Sequence, residues 1–118
     1  MARIKDVLAD LVAVEGIKSG VVVGRDGFVI EGVTRGEAKE LEAVGAVVST
    51  GIGSAERMGK ELHVGIMTQG MLEYESGIIV LSPLGAHAVL AVVADLSANL
   101  GNVRYQVKKR LDDLLAAM

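Results

Sequence analysis

The sequence contains no cysteine and no tryptophan, and it has a single proline among its 118 residues. Without cysteine, the chain can form no disulfide, no thiolate nucleophile and no cysteine-ligated metal site. Low proline content together with 51% apolar residues argues against disorder and indicates a compact structure. Because this length is enough for one hydrophobic core and too short for two, residues 1–118 are predicted to form one domain.

Residues that could perform catalysis are also scarce. His63 and His87 are the only histidines, and their spacing is not that of metal ligands. No serine lies in a G-x-S-x-G motif. Gly53–Lys60 resembles a phosphate-binding loop, but it has one residue too many before its Gly-Lys pair and is followed by Glu61. We therefore expect no enzymatic activity, no metal and no cofactor.

The charge of the chain does not favour a nucleic-acid partner. The net charge is −3, and the basic residues are dispersed except for Lys108-Lys109-Arg110, which we interpret as a solvated helix face. No run of about 18 uncharged apolar residues is present, so no membrane insertion is expected. Asp6 and Asp10 lie where a signal peptide would have its apolar region. The sequence thus predicts a cytoplasmic protein.

The longest predicted element is a helix over Thr34–Lys60. Thr34 and Glu37 have the spacing of a capping box, which would start this helix. Apolar residues recur at helical spacing and form one stripe that would seat the helix on a core, namely Leu41, Val44, Val48, Ile52 and Ala55. Each interior glycine costs roughly 1 kcal/mol relative to alanine. The alternative is that the glycines divide the segment into two shorter helices.

A second row of mostly small residues runs along the same helix, about 100° from the apolar stripe. Its members are Ala43, Val47, Gly51, Ser54 and Met58. A helix that rests only on a sheet does not need such a row, so we expect another backbone to approach closely there. We predict that this backbone is the same helix in a second copy of the chain, and that Glu42, Ser49, Glu56 and Lys60 line the far side.

Shorter elements are predicted on either side of the long helix. An amphipathic helix covers Arg3–Val14, with Gly16 as a candidate C-cap. Two strands, Ser19–Val23 and Phe28–Val33, flank a hairpin turn whose Asp-Gly pair supplies the required positive φ. Residues 61–66 could form a helix end, a loop or the start of a strand, and the sequence leaves these alternatives open.

The second half of the chain predicts a meander and a last helix. The strands are Met67–Glu75, Ile78–Leu81 and Ala88–Ala94, with turns at Ser76-Gly77 and Pro83–His87. Asn99 can cap the last helix, whose apolar stripe runs from Leu100 to Met118.

This order, α-β-β-α-β-β-β-α, predicts an α/β fold with a five-stranded antiparallel sheet between helices. In the strands that contain VVV, IIVL and AVLAVVA, apolar residues do not alternate with polar ones, so both faces of the sheet must be covered. We place the terminal helices on one face and the long helix on the other. Five strands span about 24 Å, whereas one helix covers only about 10–12 Å. A symmetric homodimer would cover the rest, with the Met67–Glu75 edge, including Met71, paired to its copy.

These patterns resemble the Roadblock family, of the dynein-light-chain-roadblock type, including its MglB-like bacterial branch. The resemblance rests on VVVGRDGFVI in the first hairpin, the Ala/Gly-rich second helix, MLEYESGIIVLSPLG, AVLAVVAD, and NLGNVRYQVKK at the start of the last helix. It implies a homodimer whose sheets join edge to edge through the third strand and whose paired second helices form a platform.

The resemblance also implies a partner. Family members act as non-enzymatic adaptors or as regulators of small Ras-like GTPases, and the MglB-like ones stimulate GTP hydrolysis without inserting an arginine. Carried onto this chain, the GTPase-binding row would be Glu42, Ser49, Glu56, Arg57 and Lys60. The alternative is a structural adaptor that links larger assemblies, as the eukaryotic light chains do, without a GTPase partner.

Overall fold

The computed structural model describes residues 3–118, which fold into three helices and five strands. The helices are α1 (Ile4–Val12), α2 (Lys39–Glu61) and α3 (Leu100–Ala117). The strands are β1 (Ile17–Gly24), β2 (Val29–Thr34), β3 (Gly70–Tyr74), β4 (Gly77–Leu84) and β5 (Ala88–Asp95). The predicted order of elements and the α/β fold class are confirmed.

All strands form one antiparallel sheet in the order β2-β1-β5-β4-β3, so β3 is an edge strand, as predicted. Helices α1 and α3 pack on one face, where Leu8, Leu11, Val103 and Leu114 join the larger of two buried clusters. Helix α2 packs on the other face through the second cluster. Within residues 3–118, no helix is both long and apolar enough to cross a membrane.

Helix α2 begins later than the sequence indicates, and the predicted capping box at Thr34 is wrong. Thr34 is the last residue of β2, where its hydroxyl lies 2.8 Å from Ser19 Oγ and accepts the Gly36 N–H at 2.9 Å. The helix starts after Ala38, which makes no side-chain cap. The intervening residues are needed to carry the chain from the sheet edge over its face. The threonine therefore stabilises that crossing instead of a helix terminus.

The C-terminal end of α2 settles the conformation of residues 61–66. The Val64 N–H donates to Gly59 O at 2.9 Å and the His63 N–H donates to Lys60 O at 3.2 Å, which is the pattern of a Schellman motif. His63 has φ 58°, in the left-handed region that glycine usually occupies at this position. The helix thus ends at Glu61 and the chain continues as a loop to β3.

Strand β4 is longer than the sequence pattern predicts and includes Pro83, which was expected in a turn. Pro83 pairs with Val89 of β5. On its other side, β3 pairs only as far as Gly70 with Leu81, so no neighbouring strand of the described chain requires an N–H from residue 83. The turn is correspondingly shorter and contains Gly85, at φ 62°.

Helix α2 is continuous, so the interpretation that its glycines divide it is wrong. The glycines have different surroundings. A Cβ on Gly45 would lie 2.2 Å from Gly27 O in the β1–β2 turn, which therefore packs directly against the helix backbone. At Gly51 and Gly53, such a Cβ would have no neighbour within 4 Å among the described residues. One close backbone approach to α2 therefore occurs within the chain, at Gly45, whereas the approach expected at the row that contains Gly51 stays a prediction.

This difference gives a matched pair of substitutions. We expect Gly45→Ala to destabilise the fold by about 1–3 kcal/mol, because the helix and the turn must move apart. Gly53→Ala makes the same chemical change on an open surface and should stabilise by up to about 1 kcal/mol. Chemical denaturation at one protein concentration measures both. A Gly45→Ala variant as stable as the parent would contradict the close contact.

Candidate functional site: the surface of helix α2

One flank of α2 contacts the β1–β2 turn through two polar side chains. Ser49 Oγ donates to Arg25 O at 2.7 Å. Glu56 accepts two hydrogen bonds from the Arg25 guanidinium, one from Nη1 to Oε1 and one from Nη2 to Oε2, the second at 3.1 Å. All three residues are partly buried. Ser49 and Glu56 therefore fasten the turn to the helix.

Arg25 is the residue of this site that the sequence did not reveal. Its hydrogen bond with Glu56 raises the pKa of the Arg25 guanidinium above its ordinary value, and partial burial opposes that shift. The arginine therefore stays charged and held. Sequence spacing carried no signal for this pair, because the two residues are 31 positions apart and meet only when the turn folds onto α2.

The outward face of α2 holds the other three residues of the predicted GTPase-binding row. Glu42, Arg57 and Lys60 are exposed. Arg57 Nε lies 3.9 Å from Glu61 Oε1 in an exposed i,i+4 pair, which restrains the arginine only weakly. Small exposed residues lie between these charged residues on the outward face, namely Ala46, Thr50 and Gly53. We call this outward face, from Glu42 to Lys60, the crest of α2. The five residues therefore do not form one outward row, as was expected. Glu42, Arg57 and Lys60 are exposed, whereas Ser49 and Glu56 contact the β1–β2 turn.

The row of small residues lies on the opposite flank of α2. At 100° per residue, Val47 is about 160° from Ser49 around the helix, so it faces away from the β1–β2 turn. The members Ala43, Val47, Gly51, Ser54 and Met58 are all exposed, Val47 at 72% and Met58 at 59%. This flank borders the part of the sheet that α2 leaves uncovered, where Leu72 and Tyr74 of β3 are also exposed.

The loop after α2 extends this apolar surface. Leu62, Val64 and Ile66 are exposed, Ile66 at 94%. An open depression of about 520 Å³ lies beside them and is lined by Glu56, Lys60, His63, Gly65, Ile66 and Met67. Within residues 3–118, no group of three or more His, Asp or Glu side chains is arranged to hold a metal ion. The surface is suited to contact another macromolecule.

The Arg25–Glu56 pair can be tested by a double-mutant cycle. We expect Arg25→Ala and Glu56→Ala each to lower stability, with a coupling free energy of about 1 kcal/mol, because the pair is bidentate and partly shielded from water. Denaturation of the parent, both single variants and the double variant measures it. The same cycle with Arg57 and Glu61, an exposed pair, should give a smaller coupling. Additive effects of the Arg25 and Glu56 changes would contradict the contact.

The sequence of the chain is similar to those of known proteins over most of its length. The sequence model of the Roadblock/LC7 domain matches residues 3–94. An uncharacterized protein of Methanocaldococcus jannaschii is 38% identical over 110 residues, covering 93% of this chain and 95% of that protein. A second uncharacterized protein of the same organism is 35% identical over 115 residues, covering 98% of this chain and 96% of its own length.

Solved structures agree with this relationship. MglB of Myxococcus xanthus superposes with a TM-score of 0.88 at 19% identity, covering 96% of this chain and 92% of that protein. The gliding protein MglB of Thermus thermophilus has a TM-score of 0.88 at 21% identity, with 98% and 87% covered. These identities establish a shared fold and no more, whereas the sequence match extends over most of the domain. The chain therefore belongs to the Roadblock/LC7 domain family.

Proposed function

We propose that the chain acts as a symmetric homodimer built on α2 and β3. The support is the apolar surface that one copy leaves exposed, which includes Val47 and Met58 on α2 and Leu72 and Tyr74 on β3. These residues lie on one side of the sheet, since Leu72 pairs with Ile79 of the α2-side cluster. A second α2 placed beside the first would bury them and would cover the half of this face that a single helix leaves open.

Two neighbouring features make this side suitable for self-association. Gly51 and Ser54 allow two helix backbones to approach closely, as Gly51 has an open surface around its Cα. The outer edge of β3 has no neighbouring strand within residues 3–118, and the strand carries no proline or lysine that would block pairing. Helix contact and strand pairing can therefore be satisfied by the same two-fold axis.

The dimer predicts a specific response to bulk on α2. Gly51→Phe should give a monomer, because the added ring would occupy the space of the partner helix. Gly53→Phe adds the same ring about 160° further round the helix and should leave the dimer intact. Light scattering at tens of micromolar protein distinguishes the two variants. An interface of about 1,500 Å² normally keeps a dimer associated at that concentration. A monomeric parent protein would overturn the proposal.

The proposed partner of the dimer is a small Ras-like GTPase, bound on the crest of the paired α2 helices. The observation that carries this proposal is that the crest is exposed and has small residues between charged ends: Ala46, Thr50 and Gly53 lie between Glu42 and Arg57–Lys60. A partner can therefore contact the helix closely in the middle and form ion pairs at the ends. Membership of the Roadblock/LC7 family supports a role as regulator or adaptor.

In this proposal the dimer donates no catalytic group. Arg25, the best-held arginine near the platform, is bound to Glu56 and so cannot enter the active site of a partner without breaking both hydrogen bonds. Binding would instead favour the hydrolysis-competent arrangement of the switch loops of the GTPase, which is a shift of populations. The platform has two-fold symmetry, so we expect one GTPase per dimer where two would overlap at the axis.

Substitutions on the crest separate docking from catalysis. We expect Arg57→Ala and Lys60→Ala each to weaken binding of a GTP-loaded Ras-like GTPase from the same genome by roughly three- to tenfold, as for loss of a peripheral charge contact. The hydrolysis rate at saturation should be unchanged. Lys109→Ala removes the same charge from the α3 side of the sheet and serves as the control.

Each other outcome has a definite meaning. Unchanged affinity in both crest variants would remove this surface as the docking site. A large loss of saturated rate in Arg57→Ala alone would contradict the non-catalytic role, because an arginine supplied in trans raises hydrolysis by roughly 10³–10⁵. No binding by any Ras-like GTPase of that genome would favour the structural adaptor.

A further inference from the structure

The α3 side of the sheet has a groove that the proposed GTPase platform does not use. It has a volume of about 340 Å³ and lies between α3 and the segment just before β3, lined by Thr68, Gln69, Arg104, Tyr105, Lys108 and Leu111. Arg104 Nε donates to Gln69 Oε1 at 3.1 Å, which holds the guanidinium over the beginning of β3. The groove therefore lies at the sheet edge, with two cations along its helical wall.

The helical wall of the groove is locally basic, and Asp112 and Asp113 follow it directly in α3. Residues 100–111 contain four of the twelve Lys and Arg residues and none of the fifteen Asp and Glu residues. Neither Arg104 nor Lys108 forms an ion pair with any residue in the described range 3–118. A cationic groove with unpaired charges is complementary to a carboxylate-bearing segment.

Such a segment is present in the same chain, on the same face of the sheet. Met71 and Glu73 of β3 pair with Val80 and Ile78 of β4, both of which belong to the cluster under α1 and α3. Because side chains alternate along a strand, Glu73 points to the α3 side, and Glu75 follows at the turn. Both glutamates are exposed, and neither has an ion-pair partner within residues 3–118.

Symmetry limits how β3 can pair with its copy. A two-fold axis perpendicular to the sheet keeps each residue on its own face, so only residues of equal parity can lie opposite one another. A register centred on Glu73 would place two carboxylates directly opposite, which is destabilising. A register centred on Leu72 pairs all five residues of β3 and places Tyr74 opposite the partner's Gly70, an arrangement that shields the glycine.

That register brings the acidic and basic groups together. It places the partner's Glu73 opposite Met71, and opposite side chains have Cβ atoms about 4.5–5.5 Å apart. The partner's Glu75 then comes next to Gln69, one position beyond the five paired residues of β3, and Arg104 already contacts the Gln69 side chain. Lys108 lies one helical turn further along α3. If the axis moves by one residue, to Met71, the partner's Glu73 takes the place opposite Gln69.

We infer that the α3 groove receives the acidic end of β3 from the second copy of the chain, so that Arg104 and Lys108 form ion pairs with the partner's Glu73 and Glu75. The site is incomplete in one copy and occurs twice in the dimer. This inference rests on the proposed homodimer and adds a second layer to its interface, on the opposite side of the sheet from α2. The apolar α2 contacts supply the affinity, and the ion pairs fix the register of the two edge strands.

Charge reversal tests the inference. Arg104→Glu with Lys108→Glu should raise the dimer dissociation constant by roughly tenfold or more, because repulsion replaces attraction at two sites. Glu73→Lys with Glu75→Lys should do the same. The variant that carries all four changes restores complementary charges at the parent net charge, and its dissociation constant should return to within about threefold of the parent value. Sedimentation or dilution light scattering measures each constant.

Matched controls separate this contact from general charge effects. Lys5→Glu with Lys109→Glu changes the net charge as much as the first variant, but outside the groove, and should leave the dimer unchanged. Circular dichroism checks that every variant is folded. An increase in salt from about 0.05 to 0.5 M should weaken the parent dimer, since it shortens the screening length.

The outcomes distinguish this inference from the proposal on which it depends. A monomeric parent protein would refute the homodimer itself. A dimer that Arg104→Glu with Lys108→Glu leaves unchanged would refute only the ion pairs, and would show that the groove faces away from the partner subunit. If the quadruple variant has a dimer dissociation constant as high as that of either double variant, the charges do not meet.

Discussion

The fold depends on the need to bury both faces of the central strands. Strands β1, β4 and β5 carry apolar residues in succession, so water must be excluded from each side of the sheet. Helices α1 and α3 together cover one face, but α2 alone covers the other. The difference in width between five strands and one helix therefore determines where the chain exposes apolar surface. The proposed dimer is a consequence of this imbalance.

Polar contacts then divide the surface of α2 between different tasks. Ser49 and Glu56 contact the β1–β2 turn, and Gly45 allows the turn to approach the helix backbone. These contacts fix the helix on the side of β2, which leaves its opposite flank next to the uncovered sheet. The crest remains exposed. One helix is thus anchored on one side and leaves two others exposed, which are the surfaces assigned to the proposed dimer and to the proposed partner.

Much of the fold followed from local patterns. Helical and alternating periodicities involve contiguous residues, so the element order was predictable. The Asn99 cap was predictable from residue type, and the Asn99 side chain accepts the Asn102 N–H at 2.9 Å. The edge position of β3 was expected from the family resemblance and is observed. Two predictions were wrong because the same residue type occurs in two kinds of local structure. Thr34 has the spacing of a capping residue, yet it serves the end of β2. Pro83 is typical of a turn, although its position in β4 needs no N–H.

The sequence by itself determined the order of elements, the two-sided burial of the sheet and the stripe that seats α2, because these depend on the spacing of neighbouring residues. Only the tertiary structure decided which polar residues of α2 are held against the turn. Glu56 and Arg57 are adjacent and both charged, but the fold brings Arg25 to the first and leaves the second exposed. The groove beside α3 is also a product of folding, since Gln69 and Arg104 are 35 positions apart. Contacts between distant segments leave no periodic trace in the sequence.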